Sequence, residues 1–229
     1  MGLLPDGAKP DDGTARATTA NRRRTEAAVP YDFTFKQALR TRAYWLIAFS
    51  TLVRLATQSA MSLHMIAIFV WKGFDEQTSA NMFALVQLVA APFILALGWL
   101  GDRYSKSMIL LLGQLLTTVA IFMLAYVGGL WALYVFVVLF ALGANTSPVN
   151  YSILGEYFGR KVFARLRGAM NVSNTAGMVT PVFAGWVYDS TQTYANALLV
   201  FGIFTGISTV ALVFLRAPRR PAAAGELAT

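Results

Sequence analysis

The chain contains no cysteine, a single histidine and few charged residues. Without cysteine it has no disulfide framework, no thiolate metal site and no cysteine nucleophile. Charged residues make up 13% of its 229 residues and hydrophobic residues 56%, whereas a soluble domain carries roughly 25% charged residues. This composition excludes an ordinary water-soluble enzyme and a disordered chain, and it predicts a bundle of membrane helices.

The amino-terminal residues 1–42 differ in composition from everything after them. Gly, Pro, Thr, Asp and Arg dominate their first thirty or so positions, and such a segment cannot bury enough apolar surface to offset the entropy lost on ordering. We predict a flexible tail that ends in an interfacial helix near 34–42, where Thr34 and Gln37 have the spacing of a capping box. A second polar tail is predicted over residues 217–229.

Six continuous apolar segments follow the first tail. Each is long enough to cross a bilayer core of about 30 Å, which takes about 20 helical residues, and none shows the alternation of a barrel strand. The sequence therefore predicts an all-α, integral membrane domain of six transmembrane helices over residues 43–216. We number the predicted spans one to six: Tyr44–Val70, Ser79–Leu100, Met108–Val127, Leu130–Leu154, Gly168–Val187 and Ala195–Leu215.

Positive charge gathers at one side of this predicted bundle. Of the connections, those after spans one, three and five contain only one basic residue, Lys72. The other connections and the two tails hold Arg22, Arg23, Arg24, Lys36, Arg40, Arg42, Arg103, Lys106, Arg160, Lys161, Arg165, Arg167, Arg216, Arg219 and Arg220. By the positive-inside rule both termini lie in the cytoplasm, in a multi-pass protein of the plasma or inner membrane. No aromatic residues interleave the basic run RRRTEAAVP, so nucleic acid is not a predicted partner.

Arg54 is the charged residue placed deepest in a predicted span. It follows the interfacial Trp45 by nine residues, about 14 Å along a helix and so close to the bilayer midplane. Ser50, Thr51 and Gln58 share its helix face, which predicts one wall of an aqueous cavity. Arg54 is then either an anion-binding residue that holds a carboxylate or a structural arginine that pairs with helix carbonyls. His64, on the same helix, is either a proton switch or an interfacial histidine bonded to a carbonyl or to water.

Neutral amides near two prolines extend the candidate solute site. Span four places Asn145 and Asn150 around Pro148, and span five places Asn171 and Asn174 before Pro181. Amides at this depth need partners, which are other helices, water or a ligand. We predict Arg54, Gln58, Asn145, Asn150, Asn171 and Asn174 as substrate-binding residues, and neither a metal site nor a cofactor.

The segment GWLGDRYSK resembles the loop signature of the major facilitator superfamily. Gly98, Asp102 and Arg103 match it, Ser105 stands where glycine is usual, and Lys106 replaces an arginine. The stretches GEYFGRKVFARLRGAMN and TPVFAGWVYDSTQTY also resemble this superfamily, and are closest to its bacterial monocarboxylate and oxalate/formate branch. The resemblance implies one six-helix half of a carrier, equivalent to helices seven to twelve. Spans two and five lack the mid-helix Arg and Lys that this branch often keeps, so Arg54 would take over anion binding.

The same resemblance implies a gate built from Asp102, Arg103, Glu156 and Arg160. Arg103 and Arg160 are expected to pair with Glu156 while the other side of the carrier is open. The alternative is a solvated charge cluster whose pairs contribute only about 0–1 kcal/mol each.

The leading interpretation is a transporter, or its second half, that moves a small organic solute such as a monocarboxylate anion by alternating access. A second interpretation is a truncated fragment that is inactive or needs a partner half or self-association. An intramembrane enzyme is disfavoured because no Gly-x-Ser-x-Gly occurs and the one histidine lies near the outer edge. A channel is disfavoured because no filter-like loop is present.

Overall fold

The computed structural model describes residues 33–219, except for a few side chains near residues 173–176. Most of the two predicted tails, residues 1–32 and 220–229, lies outside this part. The described chain is helical between short turns and contains no strand, which confirms the all-α prediction. The elements are α1 Phe35–Leu39, α2 Arg42–Trp71, α3 Glu76–Arg103, α4 Lys106–Tyr126, α5 Leu130–Ala144, α6 Ser147–Phe158, α7 Arg160–Thr175, a 3-10 turn Ala176–Val179, α8 Thr180–Thr191 and α9 Ala195–Val213.

Side-chain caps begin the first three helices. The predicted capping box is confirmed at α1, where the Thr34 amide donates to Gln37 Oε1 at 2.9 Å and the Gln37 amide donates to Thr34 Oγ1 at 3.4 Å. The side chains of Thr41 and Asp75 cap α2 and α3 by accepting from the backbone amides of Tyr44 and Thr78. The bond from Thr78 lowers the pKa of Asp75 below its usual value, since the hydrogen bond stabilises the charged carboxylate.

Five helical runs are long and apolar enough to cross a membrane. They correspond to predicted spans one to four and six, and their bounds are Arg42–Trp71, Glu76–Arg103, Lys106–Tyr126, Leu130–Phe158 and Ala195–Val213. Predicted span five is not one continuous helix. The chain there forms α7, the 3-10 turn and α8, because Pro181 has no amide proton for the carbonyl of Gly177 and interrupts the helical ladder.

The core consists of apolar side chains on the facing sides of the helices. Near the end of α2 that leads to α3, Phe69 and Phe136 are fully buried and meet edge to face at 5.7 Å. Near the other end, Tyr44 and Phe158 pack in the same manner at 6.3 Å. Large apolar side chains also cover the outside of the bundle, and Leu95 is 81% exposed. An apolar exterior of this kind is the composition that a lipid environment favours.

A close approach of two helices forms where α4 and α5 pack together. A Cβ atom added at Gly143 would lie 2.5 Å from Thr117 Oγ1 and 2.6 Å from the backbone carbonyl oxygen of Gly113. One of these atoms belongs to the backbone and cannot rotate away. Glycine at position 143 therefore sets the distance between these helices.

We predict that Gly143→Ala destabilises the bundle. The added methyl group must push α4 and α5 apart, and overpacking of this kind costs about 1–3 kcal/mol. The free energy of unfolding in detergent measures the effect. Gly168→Ala is the control because nothing lies within 4 Å of a Cβ at that position. Equal stability of the two variants would contradict the close approach.

Candidate functional site

Predicted span four is broken in its middle, between α5 and α6. α5 ends at Ala144, and α6 begins at Ser147 with Pro148 in its first turn. In a continuous helix the amide of residue 148 would donate to the carbonyl of Ala144, but proline has no amide proton. The break therefore leaves a backbone carbonyl that needs another donor inside the bundle.

Arg54 on α2 supplies that donor. Its Nη1 lies 3.3 Å from the Ala144 carbonyl oxygen and 2.9 Å from Ser147 Oγ, and donates to both. The side chain is 3% exposed, and it sits at the carboxyl end of α5, where the helix dipole favours a cation. Nη2 is also buried and has no hydrogen-bond partner among the described residues. In this conformation the structural alternative for Arg54 is the one observed.

A second contact joins α2 to the same broken helix. The amide nitrogen of Asn150 donates to Thr51 Oγ1 at 2.8 Å, and Thr51 Oγ1 donates to the Ile47 carbonyl at 2.7 Å. Thr51 and Asn150 are buried, as are Ser50 and Thr57. The prediction that this polar face of α2 forms the wall of an aqueous cavity is therefore wrong for the observed conformation. On this face, Arg54 and Thr51 bond to polar groups at the α5–α6 break, whereas Thr57 lines an apolar cleft with residues of α8 and α9.

The break in predicted span five also faces α2. Thr180 Oγ1 lies 2.7 Å from the carbonyl oxygen of Ala56 and 2.6 Å from that of Gly177, the acceptor that Pro181 leaves without its usual donor. His64 Nε2 donates to the Pro181 carbonyl at 2.9 Å, and Nδ1 lies within hydrogen-bond distance, 3.2 Å, of the Tyr194 hydroxyl. His64 is thus bonded to a carbonyl, the second of the alternatives predicted for it. One helix, α2, supports the breaks in both spans.

The remaining predicted substrate residues are divided between two places. Asn145 lies at the α5–α6 break with Arg54 and Asn150, but its side-chain amide donates to Ala141 of its own helix at 2.8 Å. Asn171 is exposed and lines a separate cleft of about 400 Å³ beside Ser59. Gln58 is half-buried, and the side chain of Asn174 lies outside the described part of the chain. The structure therefore brings three of the six residues together.

Of the predicted gate residues, Asp102 and Arg103 lie in the loop signature at the α3–α4 turn. Glu156 is near the end of α6, and Arg160 begins α7. Asp102 and Lys106 line a cleft of about 220 Å³ together with Pro148 and Val149 of α6. Lys106 Nζ donates to Glu156 Oε2 at 2.5 Å. The prediction that Arg103 or Arg160 pairs with Glu156 is wrong for the described residues.

Helix geometry explains why Lys106, rather than Arg103, pairs with Glu156. Arg103 is in the last turn of α3, where side chains point back toward the preceding turn, and its guanidinium stacks 4.5 Å from the centre of the Trp99 ring. Lys106 begins α4 and reaches across to α6. The feature of the sequence that could have identified Lys106 as a gate residue is its position in the loop signature, where it replaces an arginine.

We predict that Arg54→Gln destabilises the protein and that Pro148→Ala partly restores it. The first change removes the cationic donor from the Ala144 carbonyl, and an unsatisfied buried polar group costs about 1–3 kcal/mol. The second restores an amide proton that can bond to the same carbonyl. A double-mutant cycle on unfolding free energies measures the coupling. Pro92→Ala is the control because it restores an amide in α3. Strictly additive effects of Arg54→Gln and Pro148→Ala would contradict this account.

Comparison with known proteins gives the family of this fold. The Major Facilitator Superfamily model matches residues 43–228. A solved peptide transporter POT in complex with sulfate has a TM-score of 0.69 and 18% identity, over 90% of this chain and 45% of that chain. The superfamily transporter FucP in the outward conformation has a TM-score of 0.64 and 16% identity, over 81% of this chain and 46% of that chain.

A third solved structure, the POT family transporter PepTSo, has a TM-score of 0.66 and 18% identity, over 80% of this chain and 39% of that chain. No curated protein matches the chain. The chain spans less than half the length of these solved transporters. At such low identity the structures show a shared fold, whereas the family model covers most of the sequence and confirms the resemblance to the superfamily. The protein belongs to the Major Facilitator Superfamily.

Proposed function

We propose that this chain is a transporter, or the second half of one, that moves a small organic anion across the membrane by alternating access. The stretches GEYFGRKVFARLRGAMN and TPVFAGWVYDSTQTY resemble the monocarboxylate and oxalate/formate branch. This resemblance favours a monocarboxylate as the substrate class. The mechanism involves no covalent step. Superfamily membership supports transport, and the choice of an anion rests on the environment of Arg54.

The single observation that carries the anion proposal is a buried guanidinium with neutral partners. Both groups that accept from Arg54, a backbone carbonyl and a serine hydroxyl, are uncharged. A charge deep in an apolar bundle is costly unless an opposite charge compensates it. A carboxylate that approaches Nη2 would supply both the missing charge and the missing acceptor, with the strength of a charge-assisted hydrogen bond.

The α5–α6 break explains how Arg54 becomes available. In the observed conformation the bonds of Arg54 to Ala144 and Ser147 join α2 to the α5–α6 break. A rocking motion that separates α2 from α5 and α6 would free both guanidinium nitrogens for a solute, and neutral amides at Asn145 and Asn150 would complete its first contacts. Gln58, Asn171 and Asn174 are proposed to enter the site only in other conformations or from the facing half.

The charged cluster at the α3–α4 turn is proposed to act as the gate. Asp102 and Arg103 belong to the loop signature, and the Lys106–Glu156 pair joins the start of α4 to the end of α6. Arg160 follows at the start of α7, four residues after Glu156 in the sequence. The abundance of basic residues here supports an orientation with this end and both termini in the cytoplasm, in the plasma or inner membrane.

A second candidate function follows from the length of the chain relative to its structural neighbours. The chain corresponds to one half of those transporters, whose two halves are repeats that rock against each other. It would then be inactive alone and require another six-helix half or a second copy. Native mass spectrometry of the purified chain distinguishes a lone half from a self-associated pair.

We predict that Arg54→Gln abolishes anion uptake and that Arg54→Gln with Pro148→Ala still lacks it. The double variant recovers stability without recovering the guanidinium, so it separates folding from solute binding. Loss of a bond to a charged group weakens binding by roughly 10- to 150-fold. Uptake of radiolabelled monocarboxylates and dicarboxylates into proteoliposomes measures the effect.

Arg165→Gln is the control for this experiment because Arg165 is exposed on α7. Anion uptake by this variant should match that of the unaltered chain. Unchanged affinity of Arg54→Gln for every transported anion would refute the role of Arg54. Absence of uptake by the unaltered chain, with a monomeric native mass, would favour the fragment instead.

We predict that Glu156→Gln opens the cleft beside Asp102. Because the chain has no cysteine, Ser152→Cys introduces a single thiol at a residue that lines this cleft. An exposed ion pair contributes about 0–1 kcal/mol, so labelling by a water-soluble maleimide should accelerate up to about fivefold. Exchanging the charges with Lys106→Glu and Glu156→Lys should restore the labelling rate of Ser152→Cys alone, and Lys161→Gln should have no effect. Equal rates in all variants would show a solvated cluster without a gating role.

A further inference from the structure

A second cleft lies at the end of the bundle where α2 begins and α9 ends. It encloses about 750 Å³, and Arg40, Arg42 and Arg216 lie along its rim. All three side chains are exposed. No acidic side chain is present among the described residues that line the cleft. The rim is therefore a concentration of positive charge contributed by two ends of the chain that are distant in sequence.

Aromatic side chains line the rest of the cleft. Trp45, Phe49 and Phe214 contribute its apolar surface, and Trp45 and Phe214 are 60% and 68% exposed. The indole Nε1 of Trp45 donates to the Leu39 carbonyl at 2.8 Å, which fixes the ring between the α1–α2 connection and the membrane-facing surface. A fixed tryptophan with one polar and one apolar edge is typical of the boundary between headgroups and acyl chains.

We propose that this cleft binds an anionic phospholipid, with its phosphate held by Arg40, Arg42 and Arg216 and its acyl chains on Trp45, Phe49 and Phe214. Guanidinium groups bind phosphate oxygens through paired, charge-assisted hydrogen bonds. The aromatic surface continues onto the exposed Val210 and Val213 of α9, where acyl chains would lie in a bilayer. Free phosphate would use the arginines but would leave this surface uncovered, so a lipid fits the whole cleft.

The lipid site is separate from the proposed solute site. Trp45 precedes Arg54 by nine residues, which places the two about 14 Å apart along α2. Arg54 is buried against α5 and α6, whereas the cleft opens at the surface between α2 and α9. A lipid here would tie the first long helix of the chain to the last one.

Native mass spectrometry of the full chain in detergent, with equal amounts of phosphatidylglycerol and phosphatidylcholine, tests the proposal. We expect phosphatidylglycerol to be retained preferentially. Arg42→Gln with Arg216→Gln should weaken its binding about 30-fold, since each arginine near a lipid headgroup contributes roughly fivefold. Phe214→Ala should weaken binding while leaving the charge unchanged.

Lys161→Gln with Arg165→Gln is the control, because it removes the same charge from exposed positions on α7. Equal loss of phosphatidylglycerol in this control and in the cleft variant would overturn the site and indicate net charge alone. Retention of phosphatidylcholine equal to that of phosphatidylglycerol would also overturn it. Displacement of the lipid by the deacylated glycerophosphoglycerol headgroup would show that the acyl chains contribute nothing and would refute the lipid as occupant.

Discussion

The bond from Arg54 to the carbonyl of Ala144 is the interaction on which the centre of this bundle depends. Pro148 removes the amide that would normally serve that carbonyl, and a backbone carbonyl inside a membrane bundle needs another donor. A cation on α2 takes the place of the missing backbone donor. The break, the buried charge and the bonds from α2 to α5 and α6 therefore form one connected arrangement.

At both helix breaks a side chain donates to a backbone carbonyl, but the donors differ: a guanidinium at the first break, and a hydroxyl and an imidazole at the second. At the second break the carbonyl of Gly177 meets the hydroxyl of Thr180, and His64 bonds to the carbonyl of Pro181. Both breaks contact α2, so a movement of this one helix changes the hydrogen bonds at both. Hydroxyl and imidazole groups exchange hydrogen-bond partners at low cost, whereas a buried guanidinium is stabilised most by an anionic partner. This difference is why the proposed solute site is centred on Arg54 rather than on His64.

Charge has a separate role at the end of the bundle where α3, α6 and α9 terminate. Lys106 and Glu156 join two elements at a cleft, Arg103 lies on Trp99, and Arg40, Arg42 and Arg216 surround an aromatic cleft. Exposed pairs of this kind add little to folding stability. We propose that they act instead on the equilibrium between conformations and on the contact with headgroups, where differences of about 1 kcal/mol change populations several-fold.

The sequence alone determined the helical class, the approximate bounds of five of the six spans, the family and the place of Arg54 in the middle of a span, because these depend on local hydrophobicity and on a contiguous motif. Asn145, Asn150 and Arg54 were predicted as members of one site for the same reason. Only the tertiary structure decided that Arg54 faces a helix break rather than water, that Lys106 rather than Arg103 reaches Glu156, and that Arg216 lies near Arg42. Such partners are far apart in sequence, and the direction in which each side chain points depends on how the helices rotate and pack against one another.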